Sequence, residues 1–307
     1  YSVVASLGYL GFTPGVLELT TQMDAGRQFC DQSIFLIHRP ADVSAIAPCE
    51  VFDGSLVVEG SALSEFALHT LKVVRGNVIV TNNPRMRSLR LDFLREIQGD
   101  LVIQANLNLH ELNLRQLQSI GGSLSLSTNM KLEKLTFPNV QQIHGNAEII
   151  ANQALQELDL SQLQTINGSL TLRSNSTLTR SAWTQLQKVS GSVEVSAHEN
   201  LTYVSAINLS QIGKDLRLIG NQHLRRFYFP RLLALQGDVV VDANVELQDL
   251  ELQSVATLGG IRVRGNIALA TLRLPQAQVI HGDIELGTNL GLNDLRLPNL
   301  QSLGGDL

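Results

Sequence analysis

Residues 99–122 read GDLVIQANLNLHELNLRQLQSIGG, and residues 145–168 repeat the pattern as GNAEIIANQALQELDLSQLQTING. Gly99 and Gly122 are two members of a glycine series that also includes Gly54, Gly76, Gly145, Gly168, Gly191, Gly237, Gly260, Gly282 and Gly305. Lys214 stands at that place in one repeat, and two intervals are a residue short. Two and four places after the glycine stand apolar residues such as Leu101 and Ile103, or Leu170 and Leu172. That alternation marks a short strand with one buried side. A second L-x-L piece follows (Leu112 and Leu114, Leu158 and Leu160), then a further Leu and an Ile. No repeat holds a capped amphipathic stretch long enough for a helix. A recurring unit of this length is the mark of a solenoid, in which each turn packs only on its neighbours. The chain is therefore expected to be an all-β parallel β-helix of about eleven rungs of 23 residues.

Inside the apolar pattern sits one polar column: Asn83, Asn106, Asn129, Asn152, Asn175, Asn221, Asn244, Asn266 and Asn289, with His198 in place of Asn in one rung. A turn within a stack leaves backbone N–H and C=O groups facing inward, and these need partners. An amide both donates and accepts, so stacked Asn residues can satisfy the turns and one another. The column is read as a structural ladder, and His198 as doing the same work.

At 44% hydrophobic and 5% aromatic, the chain can build a long, thin core of Leu, Ile and Val. A net charge of −5 gives no field attractive to nucleic acid, and no run of apolar residues is long enough for a membrane span. Cys30 and Cys49 precede the repeats and make a poor metal site. A disulfide that caps the open first rung is the better reading, which implies an oxidising, extracellular compartment. Two buried free thiols are the alternative.

Three segments follow. Residues 1–29 are apolar yet outside the repeat, residues 30–53 form the cap, and residues 54–307 form the solenoid. Gly305–Leu307 begin a rung without a polar cap, so further chain or another molecule is expected to cover that edge. Docking of the N-terminal segment of one copy on the last rung of the next would give a head-to-tail filament.

The segment from Cys30 to Gly54, CDQSIFLIHRPADVSAIAPCEVFDG, resembles the opening of L-domain-like repeat proteins. There a Cys, a short strand, an Asp-Val turn and a second Cys lead into the first strand. Leu272-Arg273-Leu274-Pro275, Leu295-Arg296-Leu297-Pro298 and Phe137-Pro138-Asn139-Val140 resemble that family's L-x-L-P element. The family includes receptor L domains and surface glycoproteins of fungi and protists. The resemblance implies a right-handed, three-faced β-helix that is secreted, without catalytic residues or cofactor. The lack of a Cys-rich module and the long uninterrupted run of rungs favour the surface-glycoprotein branch over a ligand-binding receptor module. Leucine-rich repeats place Leu two residues after the Asn, whereas here it stands three after.

Rung lengths vary by a single residue, which leaves no inserted loops to carry an active site, and no catalytic motif occurs. Asp100, Asp215, Asp238 and Asp283 follow the repeat position and are read as solvated turn residues. Asp215 and Asp238, on adjacent rungs, could instead share a calcium ion. The arginine groups 85/87/90/95 and 225/226/231 are read as solvated faces with a contact role. Of four N-x-S/T sequons, Asn175 belongs to the inward ladder, whereas Asn167, Asn200 and Asn208 fall at outward turns open to N-linked glycans. Trp183 lies in the least regular rungs, with Ser181 and Ala206 also in Leu columns; a repacked kink is one reading there and a partner contact keyed on Trp183 the other. These features predict a structural or adhesive protein of a cell surface, wall or extracellular fibre, with proteins or copies of itself as partners.

Overall fold

Period-2 strands joined by tight turns coil here into a parallel β-solenoid. The computed structural model describes residues 30–307, so the extension over residues 1–29 lies outside the described residues. Two twelve-stranded parallel sheets run the length of the stack. The first begins with Ile34–Leu36 and ends with Ile284–Gly287; the second begins with Val51–Phe52 and ends with Ser302–Leu303. The third side, from Glu65–Ala67 to Asp294–Arg296, carries shorter strands bonded in groups of three, two, three and three. Twelve coils therefore stand where eleven were expected, because the cap supplies strands to both long sheets.

Register is held by the inward columns. Leu101 pairs with Leu124 and Ile103 with Leu126, and the core runs unbroken from Ile37 to Ile284. A one-residue slip would turn such a column to water. The two short rungs show where a residue can be lost. One deletion falls in the turn from Ser61 to Leu63, with Ser61 holding the ladder position. The other removes the residue between Leu258 and the next glycine. The bond from Gly259 N–H to Gly237 O shows that Gly259, not Gly260, carries the repeat position.

Cys30 and Cys49 are joined, with Cα atoms 5.7 Å apart. Between them a short helix, α1 (Pro40–Ile46), replaces the expected turn. Asp42 fixes its start, accepting from the N–H groups of His38 and Arg39 at 3.0 and 3.1 Å. Ile46 and Cys49 are buried against the first coil, so the helix and disulfide close that end of the core.

The residue before each ladder position takes a left-handed conformation. Asn82, Ala105, Thr128, Ala151, Ser174, Ala197, Ala243 and Thr288 have φ between 54° and 58°, and Gly60, Gly220 and Gly265 take the same turn. For an L-residue this costs roughly 1–2 kcal/mol. It turns the next N–H inward, where no strand can meet it and only the following rung's Asn can.

Candidate functional site

Each ladder Asn from Asn83 to Asn266 is wholly buried. Asn152 is representative: its Nδ2 donates to Leu126 O at 3.0 Å and to Ile150 O at 3.2 Å. Its Oδ1 accepts from the Asn129 backbone N–H at 3.0 Å. His198 keeps the line, with Nδ1 3.1 Å from Asn221 Oδ1 and Nε2 3.5 Å from Asn175 Nδ2. Oδ1 can only accept and Nδ2 can only donate, so the ring is neutral with its proton on Nδ1. Burial pushes its pKa down to about 4.

A second ladder, on the outside, is formed by the residue after each repeat glycine: Ser55, Asn77, Asp100, Ser123, Asn146, Ser169, Ser192, Asp215 and Asp238. Each accepts the backbone N–H of its counterpart one rung on, at 2.6–3.3 Å. The acidic members are thus structural acceptors rather than merely solvated, and Asp215 and Asp238 bond rung to rung. No group of three or more His, Cys, Asp or Glu gathers for a metal among the described residues. The acceptor explains the glycine beside it. A Cβ on Gly99 would lie 2.1 Å from Asn77 Oδ1 and 2.8 Å from the Gly76 carbonyl carbon. At the exception, Lys214, the acceptor bond is the longest of the column, 3.3 Å from Asp215 N to Ser192 Oγ.

Trp183 is not a surface contact. It is 1% exposed and fills the corner column otherwise held by Leu114, Phe137, Leu160 and Phe229. Its ring meets Phe229 edge-on at 5.9 Å, although that residue is two rungs away. Ala206, in the rung between, leaves the space. Ser181 Oγ accepts the indole N–H at 2.9 Å.

On the third side, beside this corner, lies a group of aromatic and cationic surface side chains. In the third side's strands Arg180–Ala182, Tyr203–Ser205 and Arg226–Tyr228, register puts Arg180, Tyr203 and Arg226 in one outward column. The Arg180 guanidinium lies 5.8 Å from the Tyr203 ring centre, and that of Arg226 lies 5.2 Å from Tyr228. Register sets Ala182, Ser205 and Tyr228 in the neighbouring column, where Ser205 is buried. Arg225 binds Glu246 at 2.9 Å, and His223 binds it at 2.7 Å; together they hold that carboxyl below its usual range. Arg231 donates to Asn208 Oδ1 at 2.7 Å. A shallow polar groove continues past Tyr228 to Asp249, Glu251 and Arg273. Such a surface can stack and hydrogen-bond to a protein partner. The other arginine group is partly internal: Arg90 pairs with Asp92 and Glu111 at 3.4 and 3.9 Å.

The sequons separate by what their amides already do. Asn200 and Asn208 donate Nδ2 to Ser176 O and Thr184 O, at 2.8 and 2.7 Å. Asn208 is also half-buried. Asn167 is exposed with no side-chain hydrogen bond. Asn175 is buried in the ladder.

No family model and no curated protein matches the chain. Among solved structures, a leucine-rich repeat protein from Bacteroides ovatus aligns with 87% of this chain and 76% of its own, at 12% identity and a TM-score of 0.32. A likeness that distant carries no argument, and the solenoid stands on its own geometry. No helix among the described residues is long and apolar enough to cross a membrane.

Proposed function

We propose that this chain is a secreted structural or adhesive surface glycoprotein, a stiff rod without catalytic activity that holds other proteins or copies of itself along its side and end to end. The observation that carries the reading is the Arg180–Tyr203–Arg226–Tyr228 face, built of the residue types that dominate protein contacts. The disulfide-closed cap is compatible with an oxidising, extracellular setting. Nearly identical rungs favour a scaffold, since the chemistry of an enzyme needs inserted loops that this stack lacks.

The test is association. Sedimentation velocity over a concentration series should show assembly, and beads coated with the protein should cluster. Tyr203→Ala with Tyr228→Ala should weaken bead clustering at unchanged melting temperature. A monomer at every concentration, together with dispersed beads, would refute the reading.

A further inference from the structure

The second sheet's outer surface carries a feature that neither the fold nor the arginine–tyrosine face uses. Gln118, Gln141, Gln164 and Gln187 form one column on consecutive rungs, tied by backbone bonds of 2.8–3.0 Å from each N–H to the previous carbonyl. Beside it, Ser119, Gln142, Thr165, Lys188 and Gln211 stand in register as a second column. Both point outward, because the inward neighbours Ile120, Ile143, Ile166, Val189 and Ile212 fill the core. Over these rungs the two columns hold a single formally charged side chain, Lys188.

The side-chain amides of Gln118, Gln141, Gln164 and Gln187 make no hydrogen bond among the described residues. This sets them apart from the ladder Asn residues and from Asn139, whose Nδ2 donates to Arg115 O at 2.6 Å. They stabilise nothing in the fold, since the backbone here is already paired. What they present is a flat row of combined donors and acceptors, repeating at the strand spacing of about 4.8 Å.

We infer that this face binds an extended, neutral, β-linked hexose polysaccharide. A hydroxyl both donates and accepts, as an amide does, so each sugar can exchange bonds with the Gln of its rung. An extended chain of this kind advances by close to one strand spacing per sugar, which keeps sugars and rungs in step. Nucleic acid and acidic glycans need an array of cations, which is missing. A protein partner needs a desolvated aromatic, apolar or arginine centre, also missing from these two columns. The inference does not depend on the arginine–tyrosine face, which lies on another side of the rod.

The test uses protein from a disulfide-forming bacterial host, so that Asn167 on the same face bears no glycan. Retention is measured on insoluble β-1,4-glucan, with cellohexaose as soluble competitor. The expected result is retention that is insensitive to salt and lost at least tenfold in a Gln141→Glu, Gln164→Glu, Gln187→Glu variant. These positions are on the surface, and an unchanged melting temperature shows that the variant is folded. Tyr203→Ala with Tyr228→Ala should retain full glucan binding. Failure to bind the glucan, or equal retention of the triple variant, overturns the inference. Self-association that the triple variant abolishes, without glucan retention, assigns the face to a second copy and overturns it as well.

Discussion

The Trp183 corner makes a claim about volume that a double-mutant cycle can weigh. Trp183 reaches Phe229 across the intervening rung only because Ala206 is small. Ala206→Leu alone adds three carbons where two rings already meet, an overpacking expected to cost about 1–3 kcal/mol. Trp183→Leu alone empties part of the same space and leaves Ser181 Oγ without its donor, for a loss of about 2–3 kcal/mol. Made together, the two substitutions restore the Leu-on-Leu packing seen at Leu91 and Leu114, on adjacent rungs of the same column, so the double variant should lose less than the sum of the two. The coupling should approach the upper end of the 0.5–3 kcal/mol range for residues in contact. Urea denaturation of the four proteins, followed by far-UV circular dichroism, measures it, provided that the slopes agree. Additivity to within about 0.5 kcal/mol would show that Ala206 does not make room for Trp183, and the packing argument would fail.

Other residues make sharper claims about polar groups and backbone. His198 has a folded-state pKa of about 4 against 6.5 for the free side chain, so the unfolded chain takes up a proton that the folded one refuses. Stability is unaffected by this group above pH 6.5 and declines by roughly 3 kcal/mol as pH falls to about 4. His198→Asn should flatten that decline, and an unchanged pH profile of the melting temperature would contradict it. Asn129→Ala or Asn152→Ala should lower stability by about 1–3 kcal/mol, because buried backbone groups lose their partners; an unchanged melting temperature would point to a surface role instead. Ala151→Gly should raise stability by about 0.5–1 kcal/mol, since a left-handed turn is easier for Gly, less the entropy that Gly brings to the unfolded chain. A loss on thermal denaturation would refute that.

The inner ladder could be read from spacing because a polar column inside an apolar repeat has few places to go but inward. The outer ladder was hidden by its own chemistry: Asp, Asn and Ser beside Gly are also what a solvated turn prefers. Its signal was the exclusion of everything else, since from Ser55 to Asp306 the position holds only Asp, Asn or Ser, with Gly260 the lone gap. Gly260 itself misled because two glycines stand together, and only backbone pairing shows which one continues the column. Trp183 was read as a partner contact because its rungs are the least regular, although its column, shared with Leu160 and Phe229, already placed it inward. The arginine–tyrosine face depends on residues 23 apart meeting across rungs. It appears only once register is known.

The two ladders run in opposite senses. Inside, the earlier rung donates, as when Asn83 N–H meets Asn106 Oδ1; outside, the later rung donates, as when Asp100 N–H meets Asn77 Oδ1. A chain emerging from the ribosome N-terminus first therefore offers each new rung two unlike sockets: a buried backbone donor awaiting an Asn oxygen, beside a carbonyl awaiting the same Asn's Nδ2, and an outer acceptor awaiting a backbone donor. A segment laid down one residue out of step mismatches both at once, whereas two ladders of like sense would present the same kind of socket twice. The opposed pair thus fits each coil to the one before it in a single register.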